Sequence, residues 1–562
     1  VTQLNVDDQV ITGDKNIADC FNQYFSSIGC KLSDNIQKIN IDPMAFVTPV
    51  ESSFHFSSIS AHEVLSALSQ LNSKKSPGLD GISVKLLKDT SDVIAQPLAN
   101  IFNTSLQTGI FPDDWKIAKV SPVYKEGSKT DCGNYRPISV ISVIAKLFEG
   151  LVYNQLRTFI SDNNILIEQQ SGFRSQHSTE TALLGSTNKW LYNMDSGLIN
   201  GVLFLDLKKA FDTVDHEILL KKLHLYGIKG SSYAWFKSYI QNRKQICLMN
   251  GKKSHAREIR CEVPQGSNLG PILFLLYIND LPKCLKTTQA NLFADDTNLS
   301  CAGSDPNEIE MKLKNDLENV HNWLRCNKLT LNDTKTEYMI IGSGHRLTKF
   351  ENIAEISLAI GDNDIKRVTS KKSLGFIIDD QLKWGMHIDA QCKKISKNIA
   401  LLRRAKSFVP LHTLIKMYNA LVLPHMTYCS TIWNDGSNSI LSKLSKLQRR
   451  AARVITGQSY EVRSTQILES LNWIPIEDTL RKRETVMTFK ALTNRLPDYV
   501  QNFFKKSENS QYSLRSNNVK LSLPKPKTNF LKRSFSYRAA KGWNELSDEI
   551  TKNIHNLSLP YF

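Results

Sequence analysis

Two short apolar segments, each ending in aspartate, place the tightest constraint on how this chain folds. The first, GVLFLDL, spans residues 201–207 and contains Asp206; the second, ANLFADD, spans residues 290–296 and ends in Asp295 and Asp296. Short apolar runs bounded by turn residues are typical of buried strands. A carboxylate at the end of such a strand loses hydration, which costs free energy unless a cation compensates for it. The sequence therefore predicts two strands that carry their acids to a shared cation site.

The ion that suits such a site is Mg²⁺, because it prefers carboxylate oxygens and takes water and substrate phosphates as further ligands. Side chains alternate along a strand, so one of Asp295 and Asp296 is expected to join Asp206 while the other lies further out. Two ions about 4 Å apart can activate a hydroxyl group and stabilise a leaving pyrophosphate. An isolated Ala-Asp-Asp turn is more often a solvated hairpin, so the surrounding motifs must decide between the two interpretations.

Length and composition exclude several classes of protein. A chain of 562 residues, with 41% hydrophobic and 22% charged residues, is neither disordered nor fibrous and has room for three to four domains of about 150 residues. The net charge is +17, and residues 381–562 hold 30 Lys or Arg against 12 Asp or Glu. The positive excess therefore lies in the last third of the chain. This distribution favours a polyanionic partner.

No signal peptide and no run of about 20 apolar residues is present, so no membrane association is expected. Ten cysteines without a Cys-x-x-Cys pair predict reduced thiols rather than a disulfide framework. The predicted location is the nucleus and cytoplasm. The chain begins with Val rather than Met, and it is interpreted as a fragment or a processed product.

Helical periodicity recurs along the chain. Residues 59–71 place apolar side chains at helical spacing, with Ser60 as the expected N-cap. The loop that begins at Pro264 is expected to run into an apolar helix. The further helices are predicted near residues 18–28, 84–87, 94–107, 141–160, 392–407, 411–422, 440–455 and 479–493.

Eight segments, in order along the chain, carry a family resemblance. They are KSPGLDGISVKLLK from Lys75, NYRPISVISVIAKLFEGLV from Asn134, QSGFRSQHSTETALL from Gln170, FLDLKKAFDTVDH from Phe204, PQGSNLGPILFLLYINDLP from Pro264, FADD from Phe293, WLRCNKLTLNDTKTEYM from Trp323 and KSLGFIIDDQLKW from Lys372. Together they resemble the reverse transcriptases of non-LTR (LINE-like) retrotransposons, specifically of the jockey type. Eight motifs that follow one another in the order of the family are a specific signal. The resemblance implies an RNA-directed DNA polymerase without the endonuclease domain that such elements carry.

The fold that the resemblance implies is α+β, in the form of a right-hand polymerase with fingers, a palm built on an antiparallel sheet, a helical thumb and a basic helical C-terminal extension. The expected divisions are residues 1–55 as a lead-in segment, 56–200 as fingers, 201–380 as the palm with the active site, 381–460 as the thumb and 461–562 as the basic C-terminal region.

The resemblance also implies roles for single residues. Asp206, Asp295 and Asp296 would be catalytic and would bind two Mg²⁺ ions, with Mn²⁺ as a substitute. The expected nucleotide-binding residues are Lys125, Arg136, Phe211, Gln265, Gly266 and Lys335. Phe211 falls at the family's aromatic gate, where a ring would collide with a ribose 2′-hydroxyl. Arg136 suits phosphate because a guanidinium binds two oxygens at once. Lys335 matches a lysine that could protonate the leaving pyrophosphate, and a simple salt bridge is an equally good interpretation.

The partners implied are template RNA, primer or target DNA and dNTPs, held in a ribonucleoprotein. Cations at spacings of three and four on one predicted helix are expected to contact backbone phosphates. The expected nucleic-acid-binding residues are Arg174, Lys443, Lys446, Arg449, Arg450 and Arg453.

Two alternatives stay open on the sequence. One is a catalytically inactive nucleic-acid-binding remnant of a mobile element, against which the intact Asp206, Asp295 and Asp296 argue. The other is an RNA-dependent RNA polymerase, which typically has Gly-Asp-Asp and a second acid where this chain has Phe211.

Overall fold

The computed structural model describes residues 1–6, 9–351, 356–361, 363–435, 437–507, 520–547 and 551. Parts of the predicted C-terminal region, residues 508–519, 548–550 and 552–562, lie outside the described residues. The chain divides into two compact units, each assembled from three segments. Unit 1 comprises residues 1–173, 205–286 and 315–335, and unit 2 comprises residues 174–204, 287–314 and 336–562.

Strands and helices are numbered in chain order. The strands are β1 (Gln3–Val6), β2 (Gln9–Thr12), β3 (Ile117–Tyr124), β4 (Tyr135–Val140), β5 (Ile199–Leu205), β6 (Arg243–Met249), β7 (Lys252–Lys253), β8 (Arg257–Ile259), β9 (Gln289–Phe293), β10 (Asp296–Gly303), β11 (Glu337–Ile341), β12 (Ala359–Ile360), β13 (Asn363–Asp364), β14 (Lys366–Arg367), β15 (Ser370–Ser373) and β16 (Phe376–Asp379). The helices are α1 (Asp14–Asp34), α2 (Ala61–Ser69), α3 (Val84–Asp89), α4 (Ser91–Thr108), α5 (Val143–Asp162), α6 (Thr179–Asp195), α7 (His216–Leu225), α8 (Gly230–Ile240), α9 (Gly270–Ile278), α10 (Pro306–Cys326), α11 (Gly344–Glu351), α12 (Gly385–Ala405), α13 (Leu411–Leu421), α14 (Leu423–Thr427), α15 (Ser430–Trp433), α16 (Asn438–Thr456), α17 (Ser464–Ser470), α18 (Ile476–Leu492), α19 (Asp498–Gln501), α20 (Asn529–Arg533) and α21 (Phe535–Asn544).

A mixed sheet organises unit 1. Its strand order is β4-β3-β6-β7, with β8 also paired to β6. β3 runs antiparallel to β4 and parallel to β6. Helix α1 packs on this sheet because Ile17, Phe21 and Phe25 repeat every four residues and form one apolar face. Part of the predicted lead-in segment thus contributes to the core of unit 1.

Aromatic side chains fill the helical part of unit 1. Phe102 stacks on Phe148 with ring centroids 4.5 Å apart, and Trp235 meets Phe148 edge-on at 5.5 Å. A buried ion pair joins Lys222 to Asp280 at 2.5 Å. These contacts anchor the helices on which the loops of the candidate site are mounted.

The sheet of unit 2 has the order β14-β11-β5-β10-β9. β5 runs antiparallel to β11, and β10 runs antiparallel to β9. The sequence analysis predicted an antiparallel sheet, but the edge pair β11 and β14 is parallel. A parallel neighbour requires a crossover connection, and α11 lies in the segment that joins these two strands.

Helices from the predicted thumb and from the described part of the predicted C-terminal region share one hydrophobic core in unit 2. It includes Ile395 of α12, Leu444 of α16, Leu480 of α18 and Phe535 of α21. The hairpin β15–β16 packs into the same core through Phe376. Among the described helices, none combines the length and apolarity that crossing a bilayer requires.

The predicted helices are present, with ends displaced by a few residues. Ser60 caps α2, as predicted, and it forms a capping box with Glu63 that the sequence analysis did not predict. The helix predicted from residue 392 begins earlier, at Gly385, because the Asp379 carboxylate accepts hydrogen bonds from the backbone amides of Lys383 and Trp384 and forms the turn that starts it.

Candidate active site

Asp206 stands at the end of strand β5, all of whose residues are buried. Its Oδ2 accepts a hydrogen bond from Nδ2 of Asn332 at 2.7 Å, and its backbone carbonyl accepts one from the Asn332 amide at 2.7 Å. The first bond orients the carboxylate, and the second fixes the backbone from which it projects. The sequence analysis did not single out Asn332, although it lies in the same NDTKTE segment as Lys335.

Lys335 forms an ion pair at the edge of this site. Its Nζ is 2.9 Å from Oε1 of Glu126, and Nζ of Lys125 is 3.9 Å from the same oxygen. The hydrogen bond from Lys335 to Glu126 raises the pKa of Lys335, and the charge of Asp206 acts in the same direction. The Lys335 ammonium group therefore lies in the electrostatic field of Asp206, while Glu126 is its direct partner.

A further lysine, Lys209, lies among the predicted triphosphate cations and was missed by the sequence analysis. Its Nζ donates hydrogen bonds to two backbone carbonyls of residues 133–135, at 3.0 and 3.2 Å. Burial lowers the pKa of Lys209, and the nearby charges of Lys125 and Arg136 lower it further. The charges of Lys125 and Arg136 therefore act on Lys209, in the loop that follows Asp206.

Phe211 is held on two sides. Its ring stacks on Phe274 with centroids 4.2 Å apart, and it meets Phe173 edge-on at 6.5 Å. The backbone carbonyl of Phe211 accepts a hydrogen bond from the Val263 amide at 3.1 Å. These contacts fix the plane of the ring. A steric gate requires a fixed ring, but a residue in the hydrophobic core would be fixed in the same way.

The loop of Gln265 and Gly266 is tied to strand β4. The Gln265 carbonyl accepts a hydrogen bond from the Ser139 amide at 2.8 Å, and its Nε2 donates to Oδ1 of Asp212 at 2.5 Å. Gly266 has φ 127°, and a Cβ there would lie 2.3 Å from the Ser139 carbonyl oxygen. Only glycine allows this close approach. Nζ of Lys146 donates to the Gly266 carbonyl at 2.6 Å.

Buried Glu149, which the sequence analysis also missed, supports the same loop. Its Oε1 accepts a hydrogen bond from the Tyr239 hydroxyl at 2.9 Å, and its Oε2 accepts one from the Asn268 amide at 2.7 Å. Burial raises the pKa of Glu149. A buried carboxylate without partners costs free energy, so these hydrogen bonds stabilise Glu149 in its place. They also hold the loop that contains Asn268.

In unit 2, Asp295 and Asp296 occupy the tip of the β9–β10 hairpin. Phe293 pairs with Asp296, so Ala294 and Asp295 form a two-residue turn. Ala294 has φ 56°, a left-handed backbone conformation that costs free energy for any residue with a Cβ. Strained backbone of this kind clusters at functional sites. Within the apolar segment 290–296, which the sequence analysis predicted to form a strand, β9 ends at Phe293.

The predicted nucleic-acid contacts also lie in unit 2. Helix α16 buries Ile440 and Leu444 on one side and leaves four cations exposed on the other: Lys443, Lys446, Arg449 and Arg450. Lys443 pairs with Asp389 at 2.7 Å. Arg453 donates a hydrogen bond to the Val462 carbonyl at 3.1 Å, so it holds the chain that follows α16. Arg174 is half-buried and lies near His177, whose pKa its charge helps to lower after the larger effect of burial.

The residues present fit a hard divalent cation, although the described residues contain no preformed cluster of three or more His, Cys, Asp and Glu ligands. Mg²⁺ in nucleotide sites is commonly held by one or two carboxylates, with substrate phosphates and water as the other ligands. The carboxylate of Asp206 is a ligand of this kind, and the side-chain amide of Asn332 orients it.

Comparison with known proteins shows which proteins this chain is similar to. Residues 124–378 match the family model described as reverse transcriptase (RNA-dependent DNA polymerase). The chain carries a reverse transcriptase domain. The chain is also homologous to the probable RNA-directed DNA polymerase from transposon BS of Drosophila melanogaster, with 29% identity over 77% of this chain and 49% of the relative. The RNA-directed DNA polymerase from mobile element jockey of the same species is 27% identical over 77% of this chain and 48% of the relative.

The chain spans about half the length of these relatives. The reverse transcriptase domain contains every predicted catalytic and nucleotide-binding residue, from Lys125 to Lys335. Helices α1 and α16 lie outside the matched residues. Unit 1 connects Asp206 with the predicted nucleotide-binding residues, whereas Asp295, Asp296 and Arg174 belong to unit 2.

Two buried carboxyl groups of the reverse transcriptase domain belong to Asp212, which bonds to Gln265, and to Glu262. Asp212 is 3% exposed and Glu262 is 7% exposed. Burial raises the pKa of Asp212 to about 6 and that of Glu262 to about 8, with the charge of Asp212 contributing to the latter. Each group therefore binds its proton more tightly in the folded state than in the unfolded state.

We expect the free energy of unfolding to fall as pH rises from about 4 to about 8, because the stabilisation from the protonated forms is lost as pH rises to about 6 for Asp212 and to about 8 for Glu262. Each group contributes about 1.4 kcal/mol per pH unit between its unfolded-state and folded-state pKa. Glu262→Gln keeps the shape without the titration and should remove the fall between pH about 6 and about 8. Urea denaturation across this range measures the effect.

The matched control is Glu258→Gln, which changes an exposed glutamate on strand β8. Its profile should follow that of the parent chain. A Glu262→Gln profile that runs parallel to the parent would show that Glu262 does not titrate in this range.

Proposed function

We propose that this chain is the RNA-directed DNA polymerase of a jockey-type non-LTR retrotransposon, which transfers dNTPs to a DNA 3′ end on an RNA template. The observation that carries the proposal is the carboxylate of Asp206, oriented by Asn332 inside a reverse transcriptase domain and lying in the same field as Lys335. Two relatives are named as RNA-directed DNA polymerases of mobile elements, which supports the same assignment.

The catalytic acids of the proposal are Asp206, Asp295 and Asp296. Strand β5, which Asp206 follows directly, neighbours β10 in the sheet order, and Asp295 stands in the turn that begins β10. These carboxylates would hold two Mg²⁺ ions, with Mn²⁺ as a substitute. When bound, such ions favour deprotonation of the primer 3′-hydroxyl and neutralise the departing pyrophosphate.

The chain's own residues would position the nucleotide. Arg136, Lys125 and Lys209 would bind the triphosphate oxygens, a role supported by the electrostatic effect of the first two charges on Lys209. The Gly266 backbone would approach the base pair closely because it carries no side chain. Release of Lys335 from Glu126 would free an ammonium group to donate a proton to the leaving pyrophosphate.

For the domain layout we propose fingers at 56–200, a palm at 201–380, a thumb at 381–460 and a basic C-terminal region at 461–562, after a lead-in segment at 1–55. The β15–β16 hairpin, whose turn residues Leu374 and Gly375 both have positive φ, would position the primer end. Template RNA and primer DNA would follow the cationic helices, and the complex would be a ribonucleoprotein in the nucleus and cytoplasm.

The test of the proposed function is extension of a labelled DNA primer on an RNA template with Mg²⁺, run in parallel with dNTPs and with NTPs. We expect extension with dNTPs, and Asp295→Ala serves as the control for contaminating polymerases. Template binding without extension would support an inactive remnant, and extension with NTPs alone would support an RNA-dependent RNA polymerase.

The exposed cations of α16 predict steep salt dependence of duplex binding. Each phosphate contact releases a counterion, so the double substitution of Lys446 and Arg450 by Ala should lower the slope of log affinity against log salt by about 2. These residues lie one helical turn apart on the exposed side of α16. Fluorescence anisotropy with an RNA–DNA duplex between about 50 and 200 mM salt measures the slope.

Lys443→Ala is the internal control for this prediction. Its ammonium group already pairs with Asp389 at 2.7 Å, so its loss should change the slope much less. A slope that the double substitution of Lys446 and Arg450 leaves unchanged would contradict the assignment of this helix side to phosphate binding.

A further inference from the structure

Helix α1 carries two cysteines, each in contact with a cysteine from a distant part of unit 1. Sγ of Cys20 is 3.7 Å from Sγ of Cys132, and Sγ of Cys30 is 3.1 Å from Sγ of Cys261. All four are free thiols. The partners are separated by 112 and 231 positions, so the fold and not the local chain brings each pair together. Sulfur atoms this close need only small side-chain rotations to reach bonding distance.

The helix is seated firmly at the second pair. A Cβ on Gly29 would lie 2.0 Å from the Asp212 carbonyl oxygen and 2.7 Å from Sγ of Cys261. Any larger residue would push α1 away from both. The contact between Cys30 and Cys261 is therefore part of a close approach of the backbone rather than a chance meeting of side chains.

Both cysteine partners of α1 lead directly into the candidate nucleotide site. Cys132 lies four residues before Arg136, and Cys261 lies four residues before Gln265. The carbonyls of Gly133 and Tyr135, within the first of these segments, accept hydrogen bonds from Lys209. A covalent link at either cysteine would thus tie α1 to a segment that positions a candidate ligand of the triphosphate or template.

The first pair is open to small oxidants. Cys20 is half-buried, and it lines with Cys132 a cavity of about 830 Å³ that also includes Tyr24 and Asp131. A hydrogen bond from the Cys132 thiol lowers the pKa of Cys20, while the same interaction and burial raise the pKa of Cys132. Cys20 therefore has the greater thiolate character, and the thiolate is the form that reacts.

We propose that hydrogen peroxide converts these two thiol pairs into the disulfides Cys20–Cys132 and Cys30–Cys261, which clamp α1 onto the rest of unit 1. In the first pair the Cys20 thiolate attacks one oxygen of hydrogen peroxide, an S–O bond forms, the O–O bond breaks, and the leaving hydroxide takes up a proton from solvent to become water. The Cys132 thiol then attacks the resulting sulfenic sulfur, forming the S–S bond and releasing a second water. Each pair gives two electrons to one peroxide, and a thiol reductant reverses the step.

The experiment treats the reduced 562-residue chain with hydrogen peroxide, alkylates the remaining thiols and maps disulfide-linked peptides by mass spectrometry under non-reducing conditions. We expect peptides that join Cys20 to Cys132 and Cys30 to Cys261, and their loss after dithiothreitol. The midpoint of thermal unfolding should rise by about 4 °C on oxidation, because the links restrict the unfolded chain. Neither result depends on polymerase activity.

Substitutions separate the pairs. Cys20→Ser should remove the first link and leave the second, and Cys30→Ser should do the reverse. Cys392→Ser in α12 is the matched control, because Cys392 is also half-buried, and it should leave both links unchanged. Because the peptide map of the parent chain needs no variant, it decides the question even where a serine variant fails to fold. Sulfinic or sulfonic acids without links, or links that join other cysteines as often, would overturn the proposal.

Discussion

Asp206→Asn is expected to reduce RNA-templated DNA synthesis by about a thousandfold or more, because the amide removes the negative charge that would hold a divalent cation and this charge is worth several kcal/mol in the transition state. The change keeps the side-chain shape at the end of the buried strand β5. Single-turnover primer extension with saturating dNTPs measures it, since chemistry then limits the observed rate.

A substitution of Asn332 should reduce DNA synthesis less than a substitution of Asp206 itself. Asn332→Ala removes the amide that donates to Asp206 at 2.7 Å. Partners that orient a metal ligand typically contribute 10- to 100-fold to affinity or activity, so we expect a loss of roughly that size. Raising the Mg²⁺ concentration should restore part of the rate of Asn332→Ala and none of that of Asp206→Asn, because only the former keeps the ligand.

Asp114→Asn, which changes an exposed carboxylate before strand β3, is the control and should extend primers like the parent chain. All variants should still bind an RNA–DNA duplex, because duplex binding is assigned to cations elsewhere. Full activity of Asp206→Asn would contradict the assignment of this residue as a catalytic acid.

Local signals in the sequence predicted the elements that carry the site, but not the contacts between them. The apolar run before Asp206 predicts strand β5, and Ser60 as N-cap predicts the start of α2. These features depend on neighbours within a few residues. The bond between Asn332 and Asp206 joins residues 126 positions apart, and nothing in the local pattern of either segment specifies the other.

Charge shows the same limit. The sequence locates the positive excess in residues 381–562 but cannot say which cations face solvent. Arg538 pairs with Glu484 at 2.9 Å, and Arg533 pairs with Asp435 at 3.1 Å. These arginines hold the core of unit 2 together, whereas the cations on the outer side of α16 remain exposed. Counting charges therefore overstates the surface that is open to a nucleic acid.

The thiol pairs of α1 illustrate a third limit. Ten cysteines without a local motif predicted scattered, reduced thiols, and all ten are free in the structure. Two pairs nevertheless lie in contact, because the apolar face of α1 packs on the sheet of unit 1. Proximity of this kind follows from packing between distant segments, which spacing along the chain does not encode.

Phe211→Val is expected to lower the preference for dNTPs over NTPs by about a hundredfold, since the smaller side chain no longer collides with a ribose 2′-hydroxyl and steric rejection of one group is worth a few kcal/mol. The ring now stacks on Phe274 at 4.2 Å, so it cannot swing away from a bound sugar without losing that contact. The ratio of kcat/KM for matched dNTP and NTP on the same primer and RNA template measures the effect.

Two companion variants separate a gate from a core position. Phe211→Tyr keeps the ring and its stacking, so it should retain the preference for dNTPs. Phe173→Ala removes the edge-on ring at 6.5 Å but leaves Phe211 in place, and it should change stability more than nucleotide choice. If Phe211 were only a core residue, Phe211→Val would lower thermal stability and the rates with both nucleotides equally, and the ratio of the two kcat/KM values would not move.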